Sequence, residues 1–170
     1  LIGYFMTPYI TFAGYSGSGK TTLLLKVITY LKEKGYKIAA LKHDGHDFEM
    51  DKEGKDTYNM KKAGADCIAI ASSSKYAVIS DSSHRLTFYE LMEKIPHGMD
   101  IIIGEGFKDE DIPKILVYRK EINKPNLYNI EKNIIAAATD NFEEFKDIKN
   151  VFHINDYEKI CDFLINYMKK

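Results

Sequence analysis

Residues 9–22, YITFAGYSGSGKTT, constrain the fold of this chain more than any other stretch. Tyr9–Ala13 alternates β-branched and aromatic residues, which predicts a strand. The next residues match G-x-x-x-x-G-K-[ST] in full, and apolar residues at helical spacing continue to Lys34. A strand, a glycine-rich turn and a helix in this order predict a phosphate-binding loop, which we call the P-loop (Gly14–Thr21).

The chemistry of phosphate binding explains the spacing of the P-loop. Its glycines allow a tight turn whose N–H groups point at phosphate oxygens, and the positive end of the following helix adds to the attraction. Lys20 would supply a charge to the β- and γ-phosphates, and the Thr21 hydroxyl would ligate Mg²⁺. The predicted nucleotide-binding residues here are Gly14, Ser16, Gly17, Ser18, Gly19, Lys20, Thr21 and Thr22. The motif does not identify the base of the nucleotide, and it does not show that the nucleotide is hydrolysed.

The rest of the chain predicts an α/β protein. A second strand at Lys37–Lys42 completes a βαβ unit, which implies a parallel sheet. Further helices are predicted over 55–65, 86–95 and 156–170, the last with Asp156 as its cap, and further strands over 66–72, 76–82, 99–107, 113–120, 133–140 and 151–155. We expect a single domain over 1–170, a three-layer P-loop fold with a mainly parallel sheet and some antiparallel strands. Leu1 is not a methionine, and Met6 is a candidate start.

Composition argues against several classes of partner. Lys plus Arg is 24 and Asp plus Glu is 25, so a net charge of -1 gives no electrostatic reason for general binding to nucleic acid or membrane surfaces. The two cysteines, Cys67 and Cys161, lie far apart without a CxxC pattern, which favours reduced thiols. No apolar run approaches the roughly 18 residues of a membrane span. We expect a cytoplasmic protein.

A second acidic position follows a buried strand in DIIIGEGFK. At the carboxyl end of a parallel strand, Glu105 would lie on the same edge of the sheet as the P-loop. A carboxylate there can hold a Mg²⁺-bound water or orient an attacking water. We therefore predict Glu105 and Lys20 as catalytic residues, and Thr21 and Glu105 as metal ligands. Asp100 begins the same strand at the opposite edge, where we expect a solvated side chain.

The segment KHDGHDFEMDKEGKD follows the second strand and is rich in histidine and aspartate. Besides a solvated loop, three functions are open for it. The first is a switch-like segment that is ordered by the γ-phosphate and Mg²⁺. The second is a site that binds an anionic substrate through Lys42, His43 and His46. The third is a transition-metal site formed by the two histidines. We predict nucleotide contacts from His43, Asp44 and His46.

Several segments together resemble the MobB family, the molybdopterin-guanine dinucleotide biosynthesis adaptor proteins. GYSGSGKTTLL, LKHDGHDFEMDKEGKDTYNMKKAGAD, IIIGEGFK, PKILVYR and AAATD occur in the order seen in that family, from about Tyr9 to Asp140. The combination K-H-x-x-H-x-F, D-x-x-G-K-D, A-G-A-D and E-G-F-K is more specific than the P-loop. One departure is the family's arginine in the helix after G-K-D, where this chain has Lys61 and Lys62. A lysine does not replace a bidentate guanidinium.

The resemblance implies a GTP-binding homodimer with weak, Mg²⁺-dependent hydrolysis, acting in molybdenum or tungsten cofactor maturation. Its implied partners are a MobA-type guanylyltransferase, which joins GMP to molybdopterin, and molybdopterin-binding proteins. By this matching Gly14–Thr22 hold the GTP phosphates, Glu105 lies near Mg²⁺, and the loop His43–Asp56 faces the nucleotide or a partner. Thr139 and Asp140 end a late strand on the same edge, and we predict that they contact guanine.

Two other enzyme classes use the same fold. An ATP-dependent small-molecule kinase or ligase of the dethiobiotin-synthetase type would hold an acidic substrate through Lys42 and the loop after it. A metal-delivery GTPase of the hydrogenase or urease maturation type would bind nickel or zinc through His43 and His46. The chain has only two arginines, Arg85 and Arg119, which we expect to lie far from the P-loop. Because an arginine in cis accelerates GTP hydrolysis by several powers of ten, this favours slow turnover.

Overall fold

The computed structural model of the chain divides into two compact units. The larger unit comprises residues up to His43 together with residues from Thr87 onward, and the smaller unit comprises Asp44–Leu86. Among the described residues, no helix is long and apolar enough to cross a membrane. The residues that the structure describes are 7–45, 48–125, 127–128 and 131–169.

Every predicted helix and strand is present, with ends that shift by a few residues. The strands are β1 Tyr9–Ala13, β2 Ile38–Lys42, β3 Cys67–Ala71, β4 Tyr76–Ser80, β5 Ile101–Glu105, β6 Lys114–Tyr118, β7 Ile134–Thr139 and β8 Val151–His153. The helices are α1 Lys20–Glu33, α2 Asp56–Lys62, α3 Phe88–Met92 and α4 Tyr157–Tyr167. Two short 3₁₀ helices, Lys120–Ile122 and Phe142–Phe145, were not predicted.

The larger unit is built on a six-stranded sheet in the order β2-β5-β1-β6-β7-β8. All of its neighbouring strands are parallel. In the smaller unit β3 and β4 form an antiparallel hairpin next to α2. The predicted mixture of a mainly parallel sheet with some antiparallel strands is therefore confirmed.

Both faces of the sheet are covered by helices. Along β5, Ile101 and Ile103 belong to one core cluster with α1 and α4, whereas Ile102 belongs to another cluster with α3. This alternation follows from the period of two in a strand, which sends successive side chains to opposite faces. The five residues of α3 depend on this packing, since Phe88 and Met92 are both buried. The arrangement is the predicted three-layer fold.

Two helices show how caps form in this chain, one with a capping box that was not predicted and one at the predicted Asp156. Thr87 forms a capping box for α3, in which its hydroxyl accepts from the Glu90 N–H at 3.2 Å and the Glu90 carboxylate accepts from the Thr87 N–H at 2.9 Å. The sequence did not single out this box. Asp156 is the N-cap residue of α4, as predicted, but its side chain makes no capping hydrogen bond. Its carboxylate instead accepts from Lys159, at 3.0 Å.

The carboxyl edge of the parallel sheet gathers the ends of all six strands. The P-loop follows β1, near the middle of the strand order, so β5 and β2 lie on one side of it and β6, β7 and β8 on the other. Ligands of open α/β sheets bind at this edge. Polar residues at or just after these strand ends include Lys42, Glu105, Arg119, Asp140 and Asn155.

Candidate nucleotide-binding site

The P-loop glycines are required by backbone geometry. Gly14 has φ 150°, and a Cβ on it would lie 2.3 Å from the carbonyl oxygen of Val117 in β6. Gly19 has φ 87° and is the N-cap of α1 in the left-handed conformation. Since side chains rarely adopt positive φ, and a Cβ at position 14 would overlap β6, both positions favour glycine.

The loop also leaves polar groups for an anion. Ser18 is fully buried, and its Oγ has no hydrogen-bond partner in the part of the chain that the structure describes. Buried hydroxyls normally have a partner, so this one fits a site whose ligand supplies it. The N-terminus of α1 carries no side-chain cap and no acidic residue in its first turn. These residues fit a polyphosphate group, which would accept from the helix N–H groups.

Lys20 is held inside the loop. Its Nζ donates to the carbonyl oxygen of Tyr15, at 2.6 Å. Burial lowers the pKa of Lys20, the nearby carboxylate of Glu105 opposes this, and the charge of Lys42 adds to it. An anion at the loop would favour the charged form of Lys20 and replace the carbonyl as its partner.

Thr21 and Glu105 meet at the β5 side of the P-loop. The Thr21 hydroxyl donates to both carboxylate oxygens of Glu105, at 2.9 and 3.0 Å. The Nζ of Lys42 lies 3.9 Å from the same carboxylate. A hydroxyl and a carboxylate are the hard oxygen ligands that Mg²⁺ prefers, so this pair fits the predicted metal site. The expected placement of Glu105 is observed, and its catalytic role stays a prediction.

The amino edge of the sheet holds Asp100, as expected. This exposed carboxylate accepts from the backbone N–H of Lys37, at 2.6 Å, and so joins the starts of β2 and β5. Asp100 is therefore separated from the P-loop by the length of the sheet.

The histidine and aspartate segment is only partly described. The backbone N–H of His43 donates to the carbonyl oxygen of Glu105, at 3.0 Å, and the His43 ring centroid lies 5.4 Å from that of Phe107. His43 is thus beside the Glu105 strand end. Asp44 is exposed and belongs to the smaller unit, and His46 lies outside the described residues. Nucleotide contacts from all three stay predictions.

Thr139 and Asp140 lie at the end of β7. Thr139 is fully buried, and its hydroxyl accepts from the Asn141 N–H at 2.9 Å. Asp140 is exposed, and its carboxylate accepts from the Lys120 N–H at 2.8 Å, which joins the ends of β6 and β7. The Thr139 hydroxyl therefore supports the local turn, while the Asp140 carboxylate lies at the carboxyl edge. Their contact with guanine stays a prediction.

The expectation that both arginines lie far from the P-loop is wrong for Arg119. A Cβ on Gly19 would lie 3.2 Å from Nε of Arg119, so the guanidinium is against the loop. The sequence did not reveal this contact because it depends on β6 lying next to β1, a long-range strand order. Arg119 lines a cavity of about 40 Å³ together with Gly19, Thr22, Leu23, Lys26, Ile154 and Asn155.

The segment after β6 lies against the P-loop at a second point. The ammonium group of Lys124 is 5.0 Å from the ring centroid of Tyr15, a cation–π contact. The Tyr118 hydroxyl donates to the carbonyl oxygen of Lys124, at 3.1 Å, and fixes the path of the segment. The P-loop is therefore flanked by basic side chains on its β6 side as well as by Lys42 on its β5 side.

Comparison with known proteins decides the family. The family model described as "MobB: Molybdopterin guanine dinucleotide synthesis protein B" matches residues 9–140. The chain belongs to the MobB family.

Individual MobB-family members match most of the chain. A molybdopterin-guanine dinucleotide biosynthesis adapter protein of Haemophilus influenzae is 36% identical over 162 residues, covering 95% of this chain and 89% of the relative. The adapter protein of Escherichia coli is 36% identical over 174 residues, covering 100% and 98%. The crystal structure of Bacillus subtilis MobB matches with a TM-score of 0.71 and 27% identity, covering 94% of this chain and 97% of that one. The predicted fold and family are confirmed.

The smaller unit of this MobB-family protein has a cavity of its own, of about 250 Å³. Lys61, one of the two lysines where the family's arginine is expected, donates to the Ala65 carbonyl oxygen at 3.0 Å and pairs with Asp81. The ammonium group of Lys61 therefore contacts residues of the smaller unit itself. The residues that line the cavity are Phe48, Glu49, Met50, Asp51, Tyr58, Lys61, Lys62, Ile68, Ile79 and Asp81.

Proposed function

We propose that this protein is a GTP-binding adapter of molybdopterin-guanine dinucleotide biosynthesis that hydrolyses GTP slowly in the presence of Mg²⁺. The observation that carries the proposal is the P-loop with its buried Ser18 hydroxyl and its contact between Thr21 and Glu105. Two relatives that are 36% identical are molybdopterin-guanine dinucleotide biosynthesis adapter proteins, which supports this pathway.

Each P-loop residue has a part in this proposal. The backbone N–H groups and the Ser18 hydroxyl hold phosphate oxygens, and the Lys20 ammonium exchanges the Tyr15 carbonyl for a phosphate oxygen. Thr21 and Glu105 are the residues that would hold Mg²⁺, directly or through water. Bound Mg²⁺ supplies neutralisation of phosphate charge. Glu105 orients the attacking water from the end of β5.

The position of Arg119 supports slow hydrolysis of GTP. Arg119 lies against Gly19 on the β6 side of the loop, whereas Glu105 lies on the β5 side. An arginine accelerates phosphoryl transfer when its guanidinium contacts the charge that develops on the transferred group. Because Arg119 is on the other side, we propose that it does not act in that way and that GTP is held for long periods.

A preference for guanine over adenine is proposed for the β7 end. Guanine presents an N1–H and a 2-amino group on one edge, and adenine does not. A carboxylate accepts two such hydrogen bonds, which makes the exposed Asp140 the residue suited to the task. Thr139, fully buried below it, would hold the turn that presents Asp140.

The partners follow from the adapter role. We propose that the protein assists a MobA-type guanylyltransferase, has molybdopterin-binding proteins as further partners, and acts in the cytoplasm. A homodimer is part of the proposal. The β3–β4 hairpin supports it, because Val78 and Tyr76 are 58% and 68% exposed on the same sheet face as Ala69 and Ala71. An exposed apolar sheet face of this kind favours association.

A reconstituted guanylyltransferase reaction tests the adapter role. The rate of molybdopterin-guanine dinucleotide formation by a MobA-type enzyme is measured with no addition, with wild type, with Lys20→Ala and with Lys37→Ala. Lys37→Ala removes the same charge at the amino edge of the sheet. We expect wild type and Lys37→Ala to raise the rate and Lys20→Ala to have no effect. Stimulation by Lys20→Ala equal to that by wild type contradicts the proposal.

A further inference from the structure

The first turn of α1 presents two threonines to different sides of the P-loop. Successive residues of an α-helix are about 100° apart around its axis, so Thr21 and Thr22 cannot face the same way. Thr21 contacts Glu105, at the end of β5. Thr22 instead lines the small cavity with Arg119, at the end of β6. The metal ligands and the arginine are thus on opposite sides of the loop.

Arg119 is fixed at that cavity by its position in the fold. It follows β6 directly, and β6 pairs with β1, the strand that leads into the P-loop. Its Nε and Nη2 lie 3.2 and 3.7 Å from the Cβ position of Gly19. Lys26, which also lines the cavity, has its ammonium group 5.6 Å from the ring centroid of Tyr157. Arg119 therefore places a planar guanidinium group, which can donate two parallel hydrogen bonds, on this side of the loop.

The size of the cavity limits what it takes. Its volume of about 40 Å³ is far below the roughly 300–1,000 Å³ of pockets that hold whole small molecules. The cavity is large enough for one small chemical group of a ligand, and the rest of that ligand would lie outside it. A phosphate group next to the helix N-terminus is such a group, and a guanidinium binds it with two parallel hydrogen bonds.

The strand order gives the direction of the nucleotide. The β- and γ-phosphates and Mg²⁺ belong with Thr21 and Glu105 on the β5 side. Asp140, the residue proposed to contact guanine, ends β7, and β7 is next to β6. The phosphate nearest the nucleoside then lies between these two sides, where Thr22 and Arg119 meet.

We infer that Arg119, with Thr22, binds the α-phosphate of the nucleotide and anchors it in the ground state. The inference rests on the proposed function, because it assigns a residue to the proposed GTP site. It makes Arg119 a binding residue that is equally important for the di- and triphosphate. It also separates Arg119 from an arginine finger, which would act on the γ-phosphate and on turnover.

The test compares affinity with turnover in three variants. Arg119→Gln removes the charge but keeps most of the chain length, Arg119→Lys keeps the charge but loses the fork, and Lys37→Ala removes a charge at the opposite edge of the sheet. Calorimetry with Mg²⁺ gives the dissociation constants of GTP and GDP, and single-turnover assays at saturating GTP give the hydrolysis rate. Thermal melting without nucleotide checks that each variant is folded.

The expected result is a parallel loss of affinity. The loss of hydrogen bonds to a charged group should make Arg119→Gln bind both GTP and GDP about 10- to 140-fold more weakly. The hydrolysis rate of bound GTP should stay within about threefold of wild type, because no transition-state contact is lost. Arg119→Lys should fall between Arg119→Gln and wild type, and Lys37→Ala should match wild type.

Four results would overturn the inference. If Arg119→Gln binds GTP and GDP as tightly as wild type does, Arg119 does not contact the α-phosphate. The proposed function then still stands, provided that wild type binds GTP. A loss of affinity for GTP but not GDP, or a loss of hydrolysis rate with unchanged affinity, places Arg119 at the γ-phosphate. A wild type that binds neither nucleotide overturns the proposed function, and the inference with it.

Discussion

The hydroxyl of Thr21 donates to both carboxylate oxygens of Glu105, at 2.9 and 3.0 Å. This contact joins the first turn of α1 to the end of β5, 84 residues further along the chain. It exists because β5 pairs with β1 in parallel, with Phe12 opposite Glu105 in the register. The sheet therefore brings a carboxylate to the residue that the motif assigns to Mg²⁺.

Glu105→Gln tests the role of that carboxylate. The amide keeps the size of the side chain but loses its charge and its ability to take a proton, so the hydrolysis rate should fall by about 100-fold. GTP affinity should stay within about fivefold, since the loop N–H groups and Lys20 are unchanged. Single-turnover assays and calorimetry give the two values. Glu33→Gln, at the far end of α1, is the control, and an unchanged rate in Glu105→Gln would remove Glu105 from the mechanism.

Lys20→Met separates folding from binding. In the ligand-free protein, the cost of burying the Lys20 ammonium group is offset by its hydrogen bond to the Tyr15 carbonyl. We therefore expect the free energy of unfolding of Lys20→Met to lie within about 1 kcal/mol of the wild-type value. Stabilisation by Mg²⁺ and GTP should be lost. Thermal melting with and without nucleotide measures both. Retained stabilisation by GTP in Lys20→Met would show that the P-loop is not the binding site.

The same residue predicts a pH effect on the ligand-free protein. Because burial lowers the pKa of Lys20 from 10.5, the unfolded chain binds more protons than the folded chain between the lowered value and 10.5. Stability due to this group therefore rises with pH across that window. In denaturant titrations over an alkaline pH series, the free energy of unfolding should change more favourably with pH in wild type and Lys37→Met than in Lys20→Met, because the titrations of Tyr89 and Cys161 are common to all three. An identical slope in all three would contradict the assignment.

Gly14→Ala should destabilise the fold by about 3 kcal/mol, because the new Cβ overlaps a backbone carbonyl that cannot move freely. That carbonyl belongs to Val117 and would lie 2.3 Å away. Gly17→Ala is the matched control, since Gly17 also has a positive φ, but among the described residues other than its chain neighbours no heavy atom lies within 4 Å of its Cβ position. It should cost about 1 kcal/mol. Equal losses in urea titrations would show that the close approach of β6 is not decisive.

Lys114 is a buried charge outside the nucleotide site. Its side chain is fully buried, and its Nζ donates to the carbonyl oxygen of Lys132 at 3.0 Å and lies 4.0 Å from Glu131. Burial lowers the pKa of Lys114 and raises the pKa of Glu131. Lys114→Met should cost about 3–5 kcal/mol, since it leaves a carboxylate and carbonyls without their partner. Adding Glu131→Gln should recover part of the loss in urea titrations, and no recovery would contradict the pairing.

The local part of the site could be predicted from the sequence. The P-loop is contiguous, and its glycines and lysine are defined by a turn that the neighbouring residues form by themselves. Glu105 was predictable because an apolar strand ends there and parallel strands end at one edge. Arg119 was not, since its position depends on β6 lying beside β1, and no local pattern gives the order of strands. Lys114 is similar, because the Lys132 carbonyl and the Glu131 carboxylate beside it belong to the segment before β7, which no local pattern places there.

The preference between GTP and ATP is the most direct test of the proposed GTP site. Calorimetric titrations of GTP and ATP, each with Mg²⁺, are compared for wild type, Lys20→Ala and Asp140→Asn. We predict that wild type binds GTP at least about tenfold more tightly than ATP, a gap of about 1.4 kcal/mol. Lys20→Ala should bind neither, and Asp140→Asn should lose the preference. Tighter binding of ATP by wild type, or no binding without an added acidic substrate, would contradict the account and favour a kinase or ligase.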